Sequence, residues 1–207
     1  MTSALRRALF TGHFFNVCIA ACITTLAGCG GGNGALDNAP TVANPPGGSG
    51  QKLSFVYFQR CVFPVLNTPL PVNIGGSVTT NTCAAGGCPD NTSGTGGALR
   101  LLAAAAAVDT ALPTDTLKAS DMYKNYYSSL GESVVGNALD SRLLNKPLVR
   151  NTLHGGGLIF ASADDEAAKR IGYWINHPMP SGQDEFSTAS NALFTPPDAA
   201  LGVCNTD

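Results

Sequence analysis

Two cysteines that lie close together are the residues of this chain best suited to chemistry. They are Cys83 and Cys88, in the stretch CAAGGCPD. Two thiols at this spacing can close a local disulfide, or they can form thioether bonds to the vinyl groups of a haem. A haem-attachment motif places its iron-ligating histidine directly after the second cysteine, where this chain has Pro89. The spacing leaves both chemistries open, so the compartment of the chain must help to decide between them.

The first residues indicate export from the cytoplasm. Arg6 and Arg7 precede the run FFNVCIAACITTLAGC, which is apolar and ends in small residues. The run is too short and wrongly flanked for a stable membrane span, and it is typical of a secretory signal peptide.

The last four residues of that run, LAGC, resemble the lipobox of bacterial lipoproteins. The resemblance implies that residues 1–28 are removed as a signal peptide and that Cys29 is acylated. Acyl chains would hold the protein at a membrane without spanning it. Gly30 follows the cysteine in place of aspartate, which in lipoproteins favours the outer membrane. We therefore expect a protein of the bacterial cell envelope that is lipid-anchored on the periplasmic side of the outer membrane.

The mature chain divides into a tether and one domain. Residues 29–51 are rich in Gly, Pro and Asn and predict a disordered tether, whereas residues 52–207 suffice for one domain with its own core. Of the 12 basic residues, Arg6 and Arg7 leave with the signal, so 10 remain against 14 acidic residues. This balance excludes the electrostatic footprint of a nucleic-acid-binding protein and gives no polybasic lipid-binding segment.

Four cysteines remain once the signal is removed and Cys29 is acylated. They are Cys61, Cys83, Cys88 and Cys204. In an oxidising periplasm four thiols indicate two disulfides, for which three connectivities exist. If Cys83 and Cys88 pair with each other, or bind haem, then Cys61 and Cys204 are left to pair and would tie the tail to the start of the domain.

The elements that must position these residues are predicted to be helices joined by long loops. The first helix begins near Leu53 and ends at Pro64, and a second covers the alanine-rich residues 97–108. A third helix is capped by Ser120 and stops at Gly131.

The clearest predicted helix runs from about Ala163 to Ile175. Ser162 and Asp165 match a capping box at its start, and an apolar stripe follows at helical spacing. The tail beyond Pro178 has little periodicity and is expected to wrap the surface. These patterns predict an all-α fold.

The order of these segments resembles the cytochrome-c-like domains of bacterial lipoproteins and planctomycete-type cytochromes. The resemblance spans about residues 53–175 and rests on a series of short stretches: FPVL, the cysteine-bearing Gly-rich loop, GALRL, SRLLNKPL, HGGG and YWI. It implies a small all-α helical bundle with long loops, in which the first and last helices pack together beneath a covalently bound haem.

The departure from that family lies at the iron ligand. Because Pro89 has no donor, a haem on Cys83 and Cys88 would need a ligand from elsewhere, such as His154 in a glycine-rich turn. His177 ends the last helix, where it would cap the helix carbonyls. We therefore expect a haem-free, disulfide-stapled domain with a binding or structural role at the envelope. The alternative is a c-type electron carrier with haem c, which would serve an unknown redox partner.

Enzymatic chemistry is not predicted. The stretch HGGG resembles the oxyanion-hole motif of lipases and esterases, but the nearest nucleophile candidate, Ser133, lacks the final glycine of a nucleophile elbow. Two histidines and a disulfide-prone cysteine pair also have no zinc-like spacing, so no metal site is expected.

Overall fold

The computed structural model describes residues 50–74, 76–84 and 99–207, and every structural statement below refers to these residues. The α-helical segments, in chain order, are α1 (Phe55–Tyr57), α2 (Phe63–Asn67), α3 (Thr114–Ala119), α4 (Asp121–Gly131), α5 (Arg142–Asn145) and α6 (Glu166–Asn176). A π-helical turn, Phe58–Val62, joins α1 to α2, so residues 55–67 form one continuous N-terminal helix. Two 3₁₀ turns cover Ala138–Asp140 and Thr188–Leu193.

Two small antiparallel sheets accompany the helices, so the prediction of an all-α fold is wrong and the domain is mixed α/β. In the first sheet β1 (Leu70–Ile74) pairs with β2 (Ser77–Asn81), and in the second β3 (Phe194–Thr195) pairs with β4 (Val203–Cys204). The sequence LPVNIGGSVTTN has the pattern of a hairpin, since two runs with β-branched residues flank a Gly-Gly turn.

The N-terminal helix does not end at Pro64, contrary to prediction. Proline removes an N–H donor and its ring would clash with the carbonyl four residues earlier in a regular α-helix. Here the π turn widens the helix just before the proline, and Phe63 N bonds to Phe58 O, five residues back. The wider turn lets the helix continue through Pro64 to Asn67.

The core is an aromatic cluster between the N-terminal helix, α4 and α6. The ring of Trp174 lies 5.3 Å from Phe58 and 6.0 Å from Tyr126, and all three side chains are buried. The polar atoms of these rings are hydrogen-bonded to backbone carbonyls. Trp174 Nε1 donates to Ser54 O at 2.8 Å, and the Tyr126 hydroxyl donates to Leu53 O at 2.9 Å.

The two C-terminal predicted helices are largely as expected. Ser120 caps α4 by accepting from Tyr123 N at 3.1 Å, which confirms that prediction. The last helix, α6, begins later than predicted because its cap is Asp165, which accepts from Ala167 N. The predicted capping box is therefore wrong, and the hydroxyl of Ser162 instead accepts from Asp164 N one turn earlier.

The alanine-rich segment, residues 99–108, contains no helix, so that prediction is also wrong. Its backbone is bonded by side-chain amides of neighbouring helices. Leu102 exchanges two hydrogen bonds with Asn125, at 2.7 and 3.0 Å, and Val108 exchanges two with Gln59, at 2.8 and 3.0 Å. These partners satisfy the backbone groups that a helix would have paired internally. Tertiary contacts thus override the helix propensity of alanine.

The tail is part of the core rather than a surface wrap, which corrects a further prediction. Met179, Leu193 and Phe194 are all buried. The β3–β4 hairpin is held against the N-terminal helix by Arg60, whose guanidinium lies 4.9 Å over the Phe194 ring and donates to backbone carbonyls of the hairpin loop.

Candidate functional site

The disulfide predicted between Cys61 and Cys204 is confirmed. Its Cα atoms are 6.0 Å apart and it joins positions separated by 143 residues. Cys61 lies on the π turn and is fully buried, while Cys204 lies in β4. The bond therefore links the start of the domain to its tail through the core.

The other predicted cysteine sites are only partly within the described residues. Cys83 follows β2, is half-buried and packs against the core cluster. Cys88 and the predicted lipidation site Cys29 lie outside the described residues, as do the predicted signal and residues 29–49 of the tether. The Cys83–Cys88 disulfide and the acylation of Cys29 therefore stay predictions.

His154 lies in the glycine-rich turn after α5 and is half-buried. Its Nδ1 is 2.8 Å from Gly157 O, and Gly157 N donates back to His154 O at 2.9 Å, so the ring helps to close the turn. His177 ends α6 as predicted, with Nδ1 2.9 Å from Tyr173 O and its ring stacked on Tyr173. Both imidazoles have a local structural role.

Pro89 stands where the proximal ligand of a c-type haem belongs. His154 and His177 each bond a backbone carbonyl through Nδ1, which orients the ring and leaves Nε2 as the nitrogen that could bind iron. Met122 and Met179, whose thioether sulfur atoms could also bind iron, are buried in the core cluster. Within the described ranges, no three or more His, Cys, Asp or Glu side chains are grouped as metal ligands would be.

Ser133, the nearest candidate nucleophile, serves the end of α4. Its hydroxyl donates to Ser129 O at 2.8 Å, the usual back-bond of a serine to the preceding helical turn. Among the described residues, the hydrogen bonds of His154 and His177 go to backbone carbonyls and not to Ser133.

Sequence reasoning missed a groove of about 580 Å³ along α4. We call it the tyrosine groove; it is lined by Lys118, Tyr123, Lys124, Tyr127, Ser128, Gly131 and Glu132. Tyr127 is 67 % exposed, and its ring stacks on Tyr123, which in turn stacks on Phe186 at 5.7 Å. The signal that could have revealed it is the pair of tyrosines four residues apart on one helix face.

The inner wall of the tyrosine groove is fixed by a buried hydrogen bond. The Tyr123 hydroxyl donates to Glu185 Oε1 at 2.8 Å, and Glu185 is buried. Burial, and after it this hydrogen bond, raises the pKa of the Tyr123 hydroxyl above its ordinary value. The phenol therefore stays protonated and holds its ring as a rigid support beneath Tyr127.

No family model, curated protein or solved structure matches this chain. Among the helices of the described residues, none has the length and apolar character that crossing a membrane requires.

Proposed function

We propose that the protein is a lipid-anchored, haem-free domain of the bacterial cell envelope that binds a ligand in the tyrosine groove. The observation that carries the binding role is the exposed ring of Tyr127, supported from behind by Tyr123 and Phe186. Tyrosine rings, apolar on their faces and polar at the hydroxyl, are enriched at binding surfaces.

The buried Cys61–Cys204 bond supports the compartment. Disulfides of this kind persist in oxidising spaces such as the periplasm and are rare in the cytosol. Together with the signal-like N-terminus and the stretch LAGC, it favours an exported and anchored protein.

The chemistry of the tyrosine groove favours a glycan of the envelope as its ligand. The CH face of a sugar ring would cover the open face of Tyr127, as apolar groups cover exposed aromatic rings. Lys118 and Ser128 line the same groove and would donate to sugar hydroxyls or carboxylates. Ser128 Oγ accepts from Arg100 N at 2.6 Å, which leaves its own proton free to donate.

Sedimentation with purified peptidoglycan sacculi tests the binding role. The mature chain should co-sediment, and Tyr127→Ala should abolish most of the binding because the stacking ring is gone. Leu201→Ala is the matched control, since Leu201 is also a large, highly exposed apolar residue but lies outside the groove. Equal binding by both variants, or none by the wild type, would show that the tyrosine groove is not a glycan site.

The anchor is tested by mass spectrometry of the mature N-terminus. The wild type should begin at an acylated Cys29 and fractionate with membranes, and Cys29→Ser should carry no acyl chains. An unmodified N-terminus in the wild type would contradict the lipid anchor.

The haem-free state is tested by the visible spectrum of protein produced together with the haem-attachment machinery. We expect no Soret band, or at most a weak high-spin one, because Pro89 offers no axial ligand. A sharp low-spin spectrum that disappears in His154→Ala would instead make the protein an electron carrier.

A further inference from the structure

A carboxylate lies buried in the wall of the tyrosine groove without a hydrogen-bond donor. Glu132 lines the groove and is 7 % exposed. Among the described residues its hydrogen bonds are those of its backbone, from its N to Ser129 O at 3.2 Å and from Leu143 N to its carbonyl at 2.9 Å. The ion pairs of the same residues are formed by other side chains. A buried carboxylate without donors is costly, which indicates that a group outside the chain completes the site.

The position of Glu132 in the fold adds to that cost. It is the C-cap residue of α4, where unpaired carbonyls give the helix end a partial negative charge. A carboxylate is unfavourable at this end of a helix, and a cation is favourable. A second buried carboxylate, Glu185, accepts from the hydroxyl of Tyr123 on the inner wall of the groove. The groove near Glu132 is therefore a region of negative potential that a cation would neutralise.

The lysines of the tyrosine groove lie towards the start of α4. Lys124 is bound to Asp121 at 2.7 Å and precedes Glu132 by eight residues, which is about 12 Å along a helix axis. Lys118 lies earlier still, in α3. The groove thus has a basic end and an acidic end, and Tyr127 lies between them.

The acidic end is open to a ligand that stacks on Tyr127. Gly131 follows Tyr127 by four residues on the same helix face and contributes no side chain, and a Cβ atom there would meet nothing within 4 Å. Glu132 follows Tyr127 by five residues, about 7.5 Å along the helix. A substituent on a sugar ring stacked against Tyr127 would therefore come within reach of the Glu132 carboxylate.

We infer that the tyrosine groove selects a glycan in which an amino sugar carries a free, unacetylated amine. The ammonium group would donate charge-assisted hydrogen bonds to Glu132 and lie against the electron-rich face of a tyrosine ring. An acetylated amine is uncharged and has a single N–H to offer the buried carboxylate. The inference rests on the proposed glycan-binding role and adds to it the group of the sugar that is recognised.

Isothermal titration calorimetry with two oligosaccharides of equal length tests the inference. The probes are a glucosamine tetrasaccharide and its fully N-acetylated counterpart, added to the mature chain with the Cys61–Cys204 bond formed. The wild type should bind the glucosamine oligomer about tenfold more tightly or better, because hydrogen bonds between charged groups are stronger than neutral ones. Glu132→Gln should remove this preference, whereas Tyr127→Ala should weaken the binding of both oligomers.

Two controls exclude non-specific attraction and unfolding as explanations. Asp164→Asn removes the same charge from an exposed position outside the groove, and it should leave the preference unchanged. Because Glu132→Gln removes an unpaired buried charge from a helix C-terminus, its thermal midpoint should equal or exceed that of the wild type. A lower midpoint would show that the carboxylate stabilises the fold, which would overturn the inference.

The outcomes separate this inference from the proposed function. If the wild type binds both oligosaccharides equally, and Tyr127→Ala binds neither, the glycan site stands and the role of Glu132 is wrong. Retention of the preference in Glu132→Gln would lead to the same conclusion. Binding of neither oligosaccharide, together with co-sedimentation with sacculi, would overturn the inference alone. Absence of binding to oligosaccharides and sacculi alike would overturn both.

Discussion

Gly202, in the loop between β3 and β4, shows how tightly the tail is packed at the scale of a single residue. A Cβ atom there would lie 2.3 Å from Pro196 O, 2.6 Å from Phe194 Cβ and 2.7 Å from Asp198 O. Two of these three atoms belong to the backbone, so a methyl group cannot be accommodated by a side-chain rotation.

Gly202→Ala should therefore lower the free energy of unfolding by about 1 to 3 kcal/mol, the usual cost of overpacking. Gly131→Ala is the control, because a Cβ at Gly131, the last residue of α4, meets nothing within 4 Å. Urea denaturation of both variants measures the difference. Similar midpoints for the two would mean that the hairpin loop can move away from the added methyl group.

The raised pKa values of two buried tyrosines predict how the free energy of unfolding changes at alkaline pH. Burial raises the pKa of both Tyr57 and Tyr126 above the ordinary value of 10.0. Above pH 10 the unfolded state releases its tyrosine protons while the folded state keeps them, because the pKa is raised only in the folded state. The folded state therefore has its full stability relative to the unfolded state below pH 10 and loses it as the pH rises. The free energy of unfolding should thus be insensitive to these groups below pH 10 and fall above it.

The slope of that alkaline decline identifies its source. Each buried tyrosine contributes about 1.4 kcal/mol per pH unit above the unfolded pKa. Tyr126→Phe removes one such group, so its urea-derived stability should fall less steeply above pH 10 than that of the wild type. Parallel curves for the two proteins would assign the alkaline loss to other groups.

At the scale of elements, the alanine-rich segment depends on amide side chains for its conformation. Asn125 is fully buried on α4 and both donates to and accepts from the backbone of Leu102. Replacing it leaves a backbone N–H and a C=O without partners in the interior.

Asn125→Ala should lower the free energy of unfolding by about 1 to 3 kcal/mol for each backbone group left unsatisfied. Asn67→Ala is the matched control, since Asn67 also donates an amide proton to this segment, to Ala103 O at 3.1 Å, but at an exposed position where water can replace it. Its cost should stay below about 1 kcal/mol. Chemical denaturation measures the free energy of unfolding of both variants. Equal losses would show that the cost does not depend on burial of the amide.

Elements with local signals were predictable from sequence, and those fixed by distant residues were not. Helix α4 follows from Ser120, whose cap bond reaches only three residues along the chain. The alanine-rich segment was predicted wrongly because its partner Gln59 is 49 residues from Val108. Similarly, the helix continues through Pro64 only because of a π turn, and the helix propensities of the residues do not predict that turn.

The candidate site was predictable only in part, for the same reason. Pairing of Cys61 with Cys204 could be anticipated because few cysteines remained after the signal and the local pair were set aside. The tyrosine groove is signalled in the sequence only by the spacing of Tyr123 and Tyr127, and the packing of Phe186 from the tail against Tyr123 could not be predicted.

At the scale of the whole molecule, the chain is closed by contacts between its first helix and its tail. Besides the disulfide, Arg60 donates to the carbonyls of Ala199 and Gly202, and the Tyr57 hydroxyl donates to Asn205 O. These bonds span 139 to 148 residues, so they hold together the two ends of the domain.

The disulfide should contribute more to the free energy of unfolding than the hydrogen bonds between the first helix and the tail. A bond across 143 residues restricts the unfolded chain greatly, and removal of a native bond of this kind costs about 2 to 5 kcal/mol. Replacing both Cys61 and Cys204 with alanine avoids leaving a thiol that could pair with Cys83 or Cys88. The double variant should unfold at a lower urea concentration than the wild type, and its free energy of unfolding should be smaller by that amount.

Arg60→Met distinguishes the contribution of the disulfide from that of the Arg60 hydrogen bonds. It keeps most of the aliphatic stem but removes the hydrogen bonds to the hairpin loop, so it should cost about 1 to 3 kcal/mol when the disulfide is intact. In the disulfide-free variant the tail is held only by non-covalent bonds, and the same substitution should release it to proteolysis near the C-terminus. If limited proteolysis finds the tail equally protected in all variants, packing of Phe194 and Leu193 in the core is sufficient to hold it, and the closure does not depend on Cys61 and Arg60.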